Sequence, residues 1–197
     1  MPILLAILTT IIMGFVAVQY SYLIIKKKNQ PVLTTWLLFS LVTSLSFITY
    51  LFHKNHSFSG NIVNLMDVIM CFSIFLTLLF VKEGVMAKFT KLEKLCLALT
   101  VIILVIWFLT KNELLANFLL QGIITIAYFP TFARLYNSKY NYESVGIWIA
   151  IFLATISGLI ASYSKKDLIG VTYAFRGLIL ISILFILIAR LSRLKEN

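Results

Sequence analysis

Charge is scarce in this chain of 197 residues: Asp, Glu, Lys and Arg make up 12%, and only seven residues are acidic. A soluble domain carries about twice that share of charge and fewer apolar residues than the 61% found here, so a soluble globular fold is excluded. No segment between apolar stretches is much longer than a dozen residues, which leaves no room for a separate soluble catalytic domain. Histidine is limited to His53 and His56, both in one short loop. That absence from the apolar stretches excludes an intramembrane bis-histidine haem and a rhomboid-like protease, which needs a histidine at membrane depth. Metalloprotease motifs are missing too. Without carboxylates or thiols nearby, the His53 and His56 pair is a poor metal or pH-sensing site and reads as polar loop filler. The two cysteines, Cys71 and Cys96, form no Cys-x-x-Cys motif and no extracellular disulfide by spacing, and read as apolar packing. No lysine lies between Leu168 and Ala189, which excludes a retinal Schiff base. The chain is therefore expected to be no enzyme, with no catalytic set, no metal and no cofactor.

What is present is a series of long apolar runs separated by short charged clusters. Runs at Ile3 to Ile25, Val32 to Phe52, Ile62 to Val81, Leu95 to Thr110, Leu114 to Tyr136, Val145 to Tyr163 and Leu168 to Ala189 match the length that crosses a bilayer, about 20 residues. They are continuously apolar, not alternating, which excludes a transmembrane barrel. The predicted fold class is all-α integral membrane with seven transmembrane helices. No basic residue precedes the first run, and Lys26, Lys27 and Lys28 follow it, the pattern of a retained span and not a cleaved signal. Lys26, Lys27, Lys28, Lys82, Lys88, Lys91, Lys94, Arg134, Lys139, Arg190, Arg193 and Lys195 fall on one side, against Lys54, Lys111, Lys165 and Lys166 on the other. Because basic loops stay in the cytoplasm, the N-terminus is expected outside and the C-terminus in the cytoplasm. This asymmetry accounts for most of the net charge of +10 without a nucleic-acid partner. Such a basic face also attracts anionic lipid heads of the bilayer.

Shifting the chain by 112 residues overlays its two halves. Lys27-Lys28-Asn29 through Trp36 then lies over Lys139-Tyr140-Asn141 through Trp148, and Leu23, Leu41 and Thr43 fall on Leu135, Leu153 and Thr155 without a gap. Spans one and five run in the same direction, so the copies are parallel: three helices, a linker helix that inverts the chain, and three helices again. The expected division is residues 1–90 for the first repeat, 91–112 for the linker, and 113–197 for the second repeat with its basic tail.

Pro130-Thr131-Phe132-Ala133-Arg134, followed by Lys139, Glu143 and Ser144, resembles the Pro-Thr-Phe-x-Arg stretch and polar loop of the SWEET sugar transporters and the wider PQ-loop superfamily. Val18-Gln19 falls opposite Pro130-Thr131 and is similar to a worn Pro-Gln pair. The three-plus-one-plus-three architecture is the family's own. The resemblance implies a transporter whose helix prolines act as hinges, of which this chain keeps only Pro130, since Pro31 falls opposite Glu143 and lies at a helix start.

Two ionisable residues lie deep in the spans, Asp67 in the third and Arg176 in the seventh. At about 1.5 Å per residue they sit roughly 8 Å and 12 Å below the outer edge of a core about 30 Å thick, depths compatible with contact. Asn64 and Tyr173 each precede one of them by three residues and share its helix face. The four define a candidate substrate-binding pocket: Asp67, Arg176, Asn64 and Tyr173. A charge at this depth pairs or lines a watery cavity, so a structural ion pair and a solute site both fit. In the solute reading Arg176 holds a carboxylate or hydroxyl, and Asp67 an amine, hydroxyl or proton. The resemblance implies that Asp67 and Arg176 stand near the solute-facing asparagines of the family's third and seventh helices.

Thr9, Thr10, Ser40, Thr43, Ser44, Gln121, Gly122 and Thr125 either line the same cavity or serve close helix packing, the role also expected of Thr155, Ser157 and Gly158. Pro130 removes a backbone hydrogen bond and is the candidate hinge. Trp36 and Trp148 read as an interfacial aromatic belt, while the resemblance implies solute contact. Together these features predict a transporter in a bacterial inner membrane that moves a small polar solute (sugar, amino acid or vitamin) by alternating access, with protons as a candidate co-substrate. A receptor or sensor of the same architecture that binds without transporting, and an assembly partner whose helices only pack, are the rivals. A homo-oligomer is compatible with either function.

Overall fold

The computed structural model describes residues 1–29, 31–81, 88–138, 141 and 143–196, with side chains up to Ser192. Eight helices follow one another: α1 (Pro2–Ile25), α2 (Leu33–Leu51), α3 (Ile62–Val81), α4 (Lys91–Thr110), α5 (Glu113–Ala127), α6 (Phe129–Asn137), α7 (Val145–Ser164) and α8 (Leu168–Glu196). Seven spans are long and apolar enough to cross a membrane, α5 and α6 together forming the fifth, and no strand occurs among the described residues. Lys82, Lys139 and Tyr140 lie outside the described residues, as do the side chains of Arg193 and Lys195.

Helix ends are set by polar residues flanking the apolar runs. Thr90 and Glu93 form a reciprocal capping box, which starts α4 at Lys91, four residues before its continuous apolar run. The Asn112 side chain accepts the Leu115 N–H at 2.9 Å to open α5, and Asp167 Oδ1 accepts the Gly170 N–H at 2.9 Å to open α8. Three lysines, Lys27, Lys111 and Lys166, adopt left-handed backbone at the turns after α1, α4 and α7. Their cations complement the negative helix ends they follow. Span five is broken at Tyr128, two residues before Pro130, where the sequence predicts a bend. Helix α8 runs to Glu196, beyond the apolar limit at Ala189, because nothing in its tail interrupts a helix.

α1 is apolar all round: Met13, Val16, Tyr20 and Ile24 are buried, while Ile3, Leu4, Ile7, Ile11 and Phe15 are exposed. A helix of this kind suits a lipid-facing position. α1 packs along α3 and α7, α2 along α3 and α5, and α8 along α7, with further contacts of α8 to α3, α5 and α6. α4 touches α5 and α2 and is the least enclosed span, 22% of its apolar window buried against 67% for α2. Small residues permit the close approaches. Thr9 donates to the Ala154 carbonyl at 3.2 Å, Ser157 to that of Leu5 at 3.0 Å, and a methyl on Gly158 would collide with Val63. These are the packing roles expected of Ser157 and Gly158.

The end of the bundle that carries the α2–α3 and α7–α8 loops is tightly closed. A methyl on Gly170 would collide with the Gly60 carbonyl, and one on Gly60 with the Asp167 side chain. Tyr50 donates its hydroxyl to Asp167 Oδ2 at 2.5 Å and accepts the Ser57 N–H.

Candidate functional site

A cavity with about 80 Å³ of room for water-sized molecules occupies the middle of the bundle. α2 contributes Trp36, Phe39 and Thr43, α3 contributes Asp67, Met70 and Cys71, and α8 contributes Arg176. The broken fifth span supplies Ile124, Tyr128, Pro130, Thr131 and Arg134. Tyr20, Pro31, Val32, Thr35, Glu143 and Trp148 complete the wall toward the α1–α2 and α6–α7 loops. No lining residue comes from the opposite, closed end.

At the inner end Asp67 and Arg176 share the cavity wall without forming an ion pair. Tyr173 stands between them instead. Its hydroxyl donates to Asp67 Oδ2 at 2.8 Å, and the Arg176 guanidinium carbon lies 4.4 Å from its ring centroid. Tyr173 is buried behind the wall, whereas Asp67 and Arg176 are only partly covered. A cation over an aromatic face gains electrostatic attraction without a carboxylate contact. Arg176 Nε and Nη1 are buried and have no hydrogen-bond partner among the described residues.

Asn64 does not join this group. Three residues leave a helix side chain about 60° short of a full turn, enough to aim Asn64 at α2 while Asp67 faces α8. Its Nδ2 donates to Ser46 Oγ at 3.0 Å, in a buried network completed by Asn117, Gln121 and Thr49. Gln121, a candidate lining residue, is therefore a packing residue here, and Gly122 is exposed. Thr10, Ser40, Ser44 and Thr125 bond carbonyls of their own helices, while Thr43 does so and also lines the cavity.

Trp36 and Trp148 are buried cavity residues, not a lipid-facing belt. They start α2 and α7 at the mouth, but both rings turn inward. Around them stands a second charged group that the sequence did not single out as a site. Arg134 and Glu143 pair at 2.9 Å, and Glu143 also accepts from Tyr20 (3.3 Å) and the Trp148 indole (3.2 Å). Burial pushes the Glu143 carboxyl above its ordinary value, and the opposing pull of Arg134, then of the Trp148 and Tyr20 hydrogen bonds, does not fully offset it. A signal was available in the scarcity of acid. Of seven acidic residues in a basic chain, Asp67, Glu93, Glu143 and Asp167 each make hydrogen bonds that join different elements.

His56 bonds the His53 carbonyl within its loop, at 2.9 Å. Cys71 and Cys96 are buried free thiols, the first at the cavity. Among the described residues no three His, Cys, Asp or Glu side chains cluster as metal ligands.

No family model, no curated protein and no solved structure matches this chain.

Proposed function

We propose that this chain is a membrane transporter that moves a small polar solute by alternating access, with Asp67 and Arg176 at its site. The observation that carries this reading is the cavity itself. It holds two deep charges, reaches from mid-bundle toward one end, and is stopped at the other by the Gly60, Gly170, Tyr50 and Asp167 contacts. A cavity that holds charged side chains and reaches toward one end only is what one half of a transport cycle requires.

The pattern of helix contacts supports two parallel three-helix repeats joined by α4. If α1, α2 and α3 correspond to the broken α5–α6, α7 and α8, the contacts of α3 with α1 and α2 match those of α8 with α5–α6 and α7. The contact of α1 with α7 then matches that of α5 with α2. Trp36 and Trp148, paired by the 112-residue shift, both face the cavity. In this reading residues 1–90 and 113–197 rock against each other, Pro130 lets span five bend, and 91–112 only links them.

By its basic loops the cavity mouth is cytoplasmic, with the N-terminus outside, and a bacterial inner membrane suits the chain. Protons are a candidate co-substrate through Asp67. Resemblance to SWEET and PQ-loop transporters adds to this reading through Pro130-Thr131-Phe132-Ala133-Arg134.

The test is uptake of labelled sugars, amino acids and vitamins into proteoliposomes, with and without a proton gradient. Saturable flux that falls in folded Asp67→Asn and Arg176→Gln is the expected result. Ligand binding without flux for any solute would turn the assignment to a receptor.

A further inference from the structure

The inner end of the cavity has complementary unmet demands. Two of the three guanidinium nitrogens of Arg176, Nε and Nη1, are buried without an acceptor among the described residues. Each bidentate edge of a guanidinium includes one of these nitrogens, so a carboxylate on either edge satisfies one of them. Asp67 is the converse. Tyr173 engages its Oδ2, and the described residues supply no hydrogen bond to Oδ1. The two charges make no ion pair with each other, whereas Arg134 and Glu143 at the mouth already pair at 2.9 Å.

A solute with only a negative charge would meet Arg176 but set that charge beside Asp67. A solute with only a positive charge would meet the reverse conflict with Arg176, and a neutral sugar would offer hydroxyls but no charge to balance either group. Along the same cavity Tyr20, Trp36, Phe39 and Tyr128 form a chain of ring contacts with centroids 5.4, 5.9 and 5.0 Å apart. That wall suits a flat apolar body.

We infer that the site takes a small zwitterion with an apolar body: its carboxylate on Arg176, its ammonium on Asp67 and its body against Trp36, Phe39 and Tyr128. The inference rests on reading the cavity as a solute site. It deepens that reading by naming the solute class. Engagement involves a turn of the guanidinium into the cavity, exchanging part of its contact with the Tyr173 ring for the carboxylate.

Three probes with one phenyl body separate the charges: phenylalanine carries both, 3-phenylpropionate only the acid, and 2-phenylethylamine only the amine. Binding to the purified full chain is read by the fluorescence of Trp36 and Trp148, which line the cavity. Phenylalanine is expected to bind at least about 10-fold tighter than either single-charge probe, as one charged hydrogen bond implies. Asp67→Asn should erase its advantage over 3-phenylpropionate, and Arg176→Gln its advantage over 2-phenylethylamine. The wild-type ranking decides even where a variant fails to fold. Equal affinities, a preference for a single-charge probe, or no binding of any of the three overturns the inference. Tight phenylalanine binding without flux removes transport and leaves the zwitterion site standing. Saturable sugar flux without phenylalanine binding does the opposite.

Discussion

Tyr173 donates its hydroxyl to Asp67 at 2.8 Å and at the same time lies under Arg176, so one aromatic side chain touches both charges. A direct ion pair would neutralise the cavity's inner end. With Tyr173 between them, the carboxylate and guanidinium each keep capacity for a partner.

Tyr173→Phe keeps the ring under Arg176 and removes the hydrogen bond, so a loss of about 2 kcal/mol in stability is expected. Tyr173→Ala removes the ring as well and should cost about 3–5 kcal/mol, the range for emptying a buried aromatic site. Denaturation of the two variants in the same detergent checks the order. Equal losses would mean that the hydroxyl contact contributes everything and the stacking nothing.

Ser46 Oγ lies at 3.0, 3.3 and 3.1 Å from the amide nitrogens of Asn64, Asn117 and Gln121. Ser46→Ala strands buried donors and is expected to destabilise the chain by about 1–3 kcal/mol. A thermal melt measures this, and an unshifted melt would show that the network contributes little. Flux corrected for folded protein should stay unchanged, since these side chains pack outside the cavity.

Gly170→Ala drives a methyl into the Gly60 carbonyl, whereas a methyl on Gly177, further along α8, meets only Thr155 Cγ2 at 3.5 Å. Overpacking of the first kind costs about 1–3 kcal/mol, while Gly177→Ala should be neutral or gain up to about 1 kcal/mol from helix propensity. In the transport reading the Gly170→Ala penalty falls on the conformation closed at this end. The variant should therefore raise access to the cavity from that face, read by thiol labelling of Cys71. Unchanged access together with unchanged stability would place the close contact outside the energetics of closure.

Glu143 titrates above its ordinary value because it is buried. Between the unfolded value and this raised one the folded chain binds more protons than the unfolded chain, so stability falls as pH rises through that window. It is regained as pH falls. Glu143→Gln removes the titration and should flatten this part of the pH dependence, measured as melting temperature across the acid range. A stability that rises with pH there in wild type, and still does in Glu143→Gln, would assign the dependence to other groups.

The spans were legible because apolar length and lysine clusters are local signals. The break in span five was legible through Pro130, and the two deep charges, Asp67 and Arg176, do reach one cavity. What stayed hidden was rotation about helix axes. Asn64 and Asp67 lie three residues apart, yet neighbours on α2, α5 and α8 divide them between two networks. Trp36 and Trp148 sit where an interfacial belt would, but the same depth serves a cavity wall once their faces turn inward. Contacts such as Tyr20 with Glu143 and Tyr50 with Asp167 join residues more than a hundred positions apart, where no periodicity connects them.

Cys71 offers the most direct test of alternating access, because it is a native thiol on the cavity wall. In Cys96→Ala proteoliposomes of fixed orientation, a membrane-impermeant thiol reagent is applied to one face at a time. Labelling is expected from both faces: faster from the mouth lined by Glu143 and Arg134, slower but measurable through the end closed by Gly60 and Gly170. Labelling from the mouth alone, unchanged in Gly170→Ala and with every solute tested, would contradict alternating access and leave a one-sided binding pocket.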